Sequence, residues 1–293
     1  MLSLITVVHE PEVPYIKLQA KSIQQYFDPD YIQSIHVIVN DQDSVCDLVD
    51  KSWYGELADR VNVTPRSIYG YKNKVTGWEG QQLCKLLAGS RVWSKWSMIL
   101  DAKTFFTKPV TKELLFENGK VNTKEQEIYP EFQSAKESVE RLFSIALTKS
   151  IGPGGVPFLF HSDTVRGMIE YIQTTQEIGF SDWFQQECRH PSFITEFYLY
   201  SGYVKFKYGN IREMYSNKQD WECVNLSDHQ IEQFDEIFKL MEDRRTLTVS
   251  IKAKAWSLLN DDQKLKYVTL LRTKNIVDSI EDALEQLNTV VID

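Results

Sequence analysis

The chain has 293 residues, with 33 Lys plus Arg against 41 Asp plus Glu and a formal net charge of -8. Hydrophobic residues make up 42% and charged residues 25%, which excludes a disordered chain and allows one large domain, with or without a helical appendage. The acidic balance argues against sequence-independent binding to a nucleic-acid backbone. Four Cys without a CxxC pair, and five His, are too few for a zinc framework or a disulfide scaffold and suit a reducing compartment. The start, MLSLITVVHEPE, lacks a basic n-region and a small-residue cleavage site, so it does not read as a signal peptide. No apolar run approaches the roughly 18 residues of a membrane span. The expectation is a soluble, cytoplasmic protein.

In chain order, Leu2 to Val8 is an apolar, β-branched run that predicts a strand buried on both faces. Tyr15, Leu18, Ile23 and Phe27 then fall at helical spacing, ending before Pro29. Ile35 to Val39 predicts a second strand, which makes a βαβ unit. Arg60 to Thr64 predicts a third strand, and Gly77-Trp78 opens a helix with Leu83, Leu86 and Leu87 as its apolar stripe. Trp96 to Leu100 is the next strand, with Asp101 at its carboxyl end. Glu131 to Thr148 predicts an amphipathic helix, Gly152-Pro153-Gly154-Gly155 a break, Val156 to His161 an extended segment, and Asp163 to Ile172 a helix. From about Ser227 the chain turns charged, Leu-rich and almost free of Gly and Pro. It predicts Asp228 to Met241 as helical, a hairpin broken near Asn260-Asp261, and a last helix over Asp278 to Leu287. This divides the chain into residues 1–226, a mixed α/β domain, and 227–293, a helical C-terminal extension.

The chemistry gathers where a helix meets a strand end. In an open α/β sheet, ligands bind beyond the carboxyl ends of the strands, where Asp101 falls. Gln81 and Lys85 lie four apart and Gln82 three from Lys85, so all three can face one site. Amides that read hydroxyls beside an ammonium that offsets phosphate charge suit a sugar-phosphate ligand. Each also has a plainer reading. Asp101 can be a turn or cap, Gln81, Gln82 and Lys85 a solvated helix face, Trp78 a packing residue, and His161 a hydrogen-bonded structural histidine. No GxSxG, HExxH or GxGxxG occurs, and no Lys-Ser/Thr follows the Gly-Pro-Gly-Gly run in P-loop register.

The order Gly77-Trp78-x-x-Gln81-Gln82-Leu83-x-Lys85-Leu86, then Leu100-Asp101-Ala102-Lys103-Thr104-Phe105-Phe106, resembles the GT-A class of nucleotide-sugar-dependent glycosyltransferases. It is most similar to a poorly characterised bacterial and phage branch. Ile5-Thr6-Val7-Val8 with Leu18-x-x-Lys21-Ser22-Ile23, Val156 to His161, and Thr195-Glu196-Phe197-Tyr198-Leu199-Tyr200 resemble further pieces of that class in the expected order. The resemblance implies a GT-A-like, Rossmann-related mixed sheet flanked by helices, and transfer of a sugar from a nucleoside diphosphate to an acceptor hydroxyl. It places the nucleotide near Thr6, Asn40, Trp78, Gln81, Gln82 and Lys85, the diphosphate at Asp101 and Lys103, and the acceptor, whose identity the sequence leaves open, toward Glu196 and Tyr200. An inverting reaction needs a carboxylate base, with Glu196 the first candidate and Asp163 the second.

One departure concerns the metal. The class carries Asp-x-Asp, which holds Mn2+ or Mg2+ against the donor diphosphate, whereas this chain reads Asp101-Ala102-Lys103. An ammonium has donors and no lone pair, so it cannot coordinate a cation. Lys103 then replaces the metal electrostatically, or a metal binds Asp101 with help from His161 or Asp163, or the protein binds sugar or nucleotide without turnover.

Overall fold

A strand covered on both faces needs apolar or internally satisfied side chains at every position, and Leu2–Val8 (β1) meets that demand with all seven residues buried. Its two polar members are paired: Ser3 Oγ with Ser34 Oγ at 2.8 Å, and Thr6 Oγ1, which donates to Gln19 Oε1 at 2.8 Å. The protein is described by a computed structural model over residues 1–70, 77–152, 156–189 and 191–290. Residues 153–155 of the glycine-proline break lie outside the described residues.

Helix α1, Val13–Tyr26, starts with Pro14 in its first turn and buries Tyr15, Ile16, Leu18, Ala20 and Ile23. Strands β2 (Ile32–Val39) and β3 (Val61–Pro65) follow, then α2 (Gly77–Arg91) and β4 (Trp96–Asp101). Gly77 has a φ of 66°, a conformation that suits glycine, and its carbonyl accepts from Asn40 Nδ2 at 3.0 Å. Beyond β4 come β5 (Thr104–Phe106), the short α3 (Lys112–Leu115), β6 (Phe116–Glu117), β7 (Lys120–Thr123), β8 (Glu125–Glu127) and α4 (Gln133–Phe143). The chain continues through β9 (Lys149–Ile151), β10 (Phe158–His161), α5 (Ser162–Gln176), α6 (Phe180–Glu187), α7 (Glu196–Tyr208), β11 (Tyr215–Asn217) and β12 (Glu222–Leu226). It ends with α8 (Phe234–Glu242), β13 (Thr246–Ile251), α9 (Ala253–Leu258), α10 (Asp261–Thr273) and α11 (Ile280–Asn288).

The central sheet has the order β10-β4-β1-β2-β3. β1, β2, β3 and β4 are parallel, and β10 closes one edge antiparallel to β4. The chain steps outward from β1 to β2 and β3, then returns to the other side of β1 as β4. The order therefore reverses between β1 and β4, where such sheets open a crevice beyond the strand ends. Register brings Val7 opposite Asp101, and Val8 opposite Val39, at this edge.

This is the expected mixed α/β fold, a sheet flanked by helices with a helical C-terminal extension. Two readings of the sequence change. Residues Thr246–Ile251, expected within a helical stretch, form the wholly buried β13, parallel to β12 and antiparallel to β5. The helix expected over residues 131–148 is shorter: a 3-10 turn at Pro130–Phe132 leads into α4, which stops at Ser144 in a left-handed conformation. The hairpin break falls where expected, with Asn260 capping α10 in a capping box with Gln263. α7 packs closely on α4 at Gly202, where a Cβ would collide with Val139 Cγ1. Among the described residues no helix is long and apolar enough to cross a membrane.

Candidate functional site

Asp101 ends β4 beside the reversal point, and the chain turns through Ala102-Lys103 into β5. Gln19 of α1 fixes that turn. Its Nε2 donates to the carbonyls of Asp101 (2.7 Å), Ala102 (3.4 Å) and Thr104 (3.2 Å), while its Oε1 receives the Thr6 hydroxyl. β13 pins the outgoing strand by pairing with β5. Gln19 was not singled out in the sequence. Its position two residues from Lys17 and Lys21 gave no signal beyond a polar residue on an otherwise apolar helical face. Gln19→Ala is expected to cost about 2 kcal/mol, since it strips partners from several buried acceptors at once. A urea midpoint shift at unchanged m-value checks it.

With the turn fixed, both carboxylate oxygens of Asp101 are held by lysines. Lys85 Nζ, from α2, lies 2.9 Å from Oδ1, and Lys103 Nζ lies 3.0 Å from Oδ2. Lys85 also reaches Glu196 Oε1 at 3.3 Å and lies 5.5 Å from the centre of the Phe197 ring. Glu196 is the first residue of α7, whose N-terminus is fixed by Thr195 Oγ1 accepting from Tyr198 N, and by Glu196 N donating to Gln82 Oε1 at 3.1 Å. Two cations face two carboxylates. Lys85 and Glu196 are almost wholly buried, whereas Asp101 and Lys103 retain 21% and 16% side-chain exposure. The accessible part of the cluster is therefore Asp101 with Lys103.

Electrostatics follow from this packing. Burial disfavours the Lys85 charge, but the carboxylates of Asp101 and Glu196 outweigh it and hold its pKa above the ordinary lysine value. Burial also disfavours the Asp101 carboxylate, and Lys103 and Lys85 overcome it, so Asp101 is held well below the usual carboxylate range. For Glu196 burial wins and its pKa is raised, with Lys85 offsetting only part.

The other expected residues divide into two groups. Thr6, Asn40 and Gln82 sit at this end of the sheet, but all are buried and spend their hydrogen bonds on the scaffold. Asn40 donates to the Gly77 carbonyl, accepts from Arg66 Nη1 at 3.2 Å, and lies 3.4 Å from His9 Nε2. Gln82 Nε2 donates to Cys188 Sγ at 3.6 Å. Gln81 is half-buried one turn before Lys85, and Trp78 is exposed in the first turn of α2. The plainer reading of Gln82 and Lys85 as a solvated face does not hold.

The second group lies elsewhere. Because β10 runs antiparallel to β4, His161 is opposite Trp96, at the far end of the strand from Asp101. Five residues of strand, about 16 Å, separate them. His161 Nδ1 bonds Thr164 Oγ1 at 3.0 Å and its ring meets Trp96 edge-on, the structural reading. Asp163 is exposed there and pairs with Arg166. Neither can join Asp101 at a metal or serve it as a base. Tyr200 is fully buried, its hydroxyl bonded to Tyr215 at 2.7 Å and accepting from His161 N at 2.8 Å, so it is a core residue and not an acceptor platform. Glu196, expected to meet the acceptor, lies instead behind Lys85. The aromatic residues that follow it, Phe197, Tyr198 and Tyr200, lie on helix α7.

The donor set does not fit the Mn2+ or Mg2+ that the resemblance implies. Both Asp101 oxygens carry ammonium partners, Glu196 is turned to Lys85, and ammonium groups offer no lone pair. Among the described residues, no three His, Cys, Asp or Glu side chains are grouped to hold a metal ion.

The sheet and this strand-end cluster define an α/β protein with a partly exposed cluster of charged side chains at the point where its strand order reverses. The chain belongs to the family of unknown function DUF6492, whose model matches residues 4–236. A search of curated proteins finds no match. Among solved structures it is similar to the galactosyltransferase LgtC in complex with donor and acceptor sugar analogs, at 12% identity and a TM-score of 0.47 over 98% of this chain and 95% of that one. It is also similar to mouse xyloside xylosyltransferase 1, at 10% identity and a TM-score of 0.43 over 85% and 96%. A third is the glycosyltransferase GlyE of Streptococcus pneumoniae TIGR4, at 11% identity and a TM-score of 0.45 over 97% of this chain and 63% of that one.

Proposed function

We propose that the protein transfers a sugar from a nucleoside diphosphate to an acceptor hydroxyl, with the Lys103 ammonium standing where a metal would bridge the diphosphate. The observation that carries this reading is the Lys85–Asp101–Lys103 arrangement at the strand end beside the reversal point. The ordered motifs that resemble the glycosyltransferase class support the substrate; the cluster supports the means.

An ammonium has three donors. Lys103 uses one on Asp101 Oδ2 and has no other hydrogen-bond partner among the described residues, which leaves donors for phosphate oxygens. Lys85 is committed to Asp101 and Glu196. Its role is to hold Asp101 ionised and in place, so that Asp101 in turn aims Lys103. As the acceptor oxygen bonds to the anomeric carbon and the bond between sugar and phosphate breaks, charge develops on the leaving diphosphate. A preplaced cation stabilises it without reorganisation, and the diphosphate takes up the acceptor's proton. Glu196 is a positioning residue in this scheme, since it reaches Lys85 and not the crevice.

The test is calorimetric titration with several nucleoside diphosphates, with and without manganese, followed by donor-hydrolysis and transfer assays in a chelator. Equal binding in both buffers and turnover that survives the chelator are expected. A strict manganese requirement would overturn the lysine scheme, and binding without any turnover would leave a binding protein on this scaffold.

A further inference from the structure

A second polar cleft lies away from the strand ends, between α1, residues 51–60 and α11. We infer that it binds a neutral carbohydrate. This does not depend on the transfer reading, because α1 keeps the two places apart: Gln19 faces the β4–β5 turn, whereas Lys17, Lys21 and Gln24 line the cleft. Side chains two apart on a helix do not share a face.

The cleft has a volume of about 280 Å³, at the small end of the sizes of ligand sites. Leu18, Val277 and Ala283 contribute apolar lining, and Trp53, half-buried against the core, borders the cleft. The rim carries Lys17 and Lys21 against Asp278 and Asp282, with Lys21 Nζ 3.5 Å from Asp278 Oδ2. Two cations balanced by two carboxylates give the cleft no preference for an anion or a cation. Together they offer donors and acceptors to a ring of hydroxyls, while an indole beside apolar residues suits the C–H face of a pyranose.

The walls are built in advance. Gln24 Nε2 donates to the Trp53 carbonyl at 2.5 Å, and Gln24 Oε1 fills the space where a Cβ on Gly55 would collide, with Gly55 at a φ of 54°. Gln286 Nε2 donates to the Pro14 carbonyl at 2.5 Å and ties α11 to the start of α1. A site held this way loses little freedom on binding.

The test titrates the full chain with glucose, galactose and N-acetylglucosamine, and with glucose 6-phosphate and choline as anionic and cationic controls, followed by NMR and calorimetry. Binding of at least one neutral sugar in the millimolar range is expected, weakened about tenfold in Trp53→Ala and several-fold in Asp282→Ala. Asp282 is exposed, so that variant reports even where Trp53→Ala fails to fold. Absence of neutral-sugar binding at tens of millimolar, tighter binding of either charged control, or binding indifferent to Asp282→Ala would each overturn the assignment.

Discussion

Lys85→Met is expected to lower the stability of the fold by about 3–5 kcal/mol, or a fall in Tm of about 6–10 °C. Methionine keeps most of the volume, so the loss is electrostatic. Among the described residues Glu196 is then left as a buried carboxyl without an ion-pair partner, and Asp101 keeps Lys103 alone. Adding Glu196→Gln should return part of the loss, because an amide needs no counter-charge. The double-mutant cycle isolates that coupling. A single variant within about 0.5 kcal/mol of the parent would contradict the buried pairing, since that is the scatter of an ordinary surface substitution.

The deficit should also depend on pH. Asp101 is depressed in the folded state, so its contribution is present above the unfolded value of about 3.9 and is lost as pH falls through the folded one. Glu196 is raised, so its contribution is present below about pH 4 and lost as pH rises through its folded value. Without Lys85 both carboxyls shift upward and the folded variant takes up protons that the parent does not. The stability gap is therefore widest near neutral pH and narrows on acidification, which urea melts over a pH series would register.

The sheet was legible because its strands follow rules that act locally. The β-branched, largely apolar run at Leu2–Val8 and the short, mostly apolar run at Trp96–Leu100, each followed by a polar residue or a loop, mark buried parallel strands, and their alternation with helical periodicity implies the layering. β13 was missed because its six residues sit between charged stretches of helical texture. β12 is the strand just before it, across α8, but its other partner β5 is distant in sequence, and pairing of that kind leaves no local trace. At the site, spacing brought Lys85 and Asp101 together correctly. It could not show that β10 runs antiparallel, and the direction of that one strand moves His161 and Asp163 to the opposite edge. Nor could it show how Gln82 and Asn40 divide their hydrogen bonds, because a buried amide and an exposed one read alike in a sequence.

Lys103→Ala is expected to reduce kcat about 10²- to 10³-fold, the cost of removing one preorganised donor from developing charge. Stability should change by less than about 1 kcal/mol, because Asp101 remains paired with Lys85 and the lost ion pair is partly exposed. This contrast with Lys85→Met separates the two lysines: one maintains the cluster, the other serves the crevice. Lys103→Arg should recover some activity by restoring the charge, though not all, because a planar guanidinium does not place its donors where an ammonium does. Adding manganese to Lys103→Ala should not rescue it, since Asp101 retains Lys85 on one oxygen and gains no second carboxylate. Single-turnover rates with a nucleoside-diphosphate sugar, measured beside thermal melts of the same preparations, supply both readouts. An alanine variant that turns over at the parent rate would remove Lys103 from the chemistry and leave Asp101 as a strand-end carboxylate held by Lys85 alone.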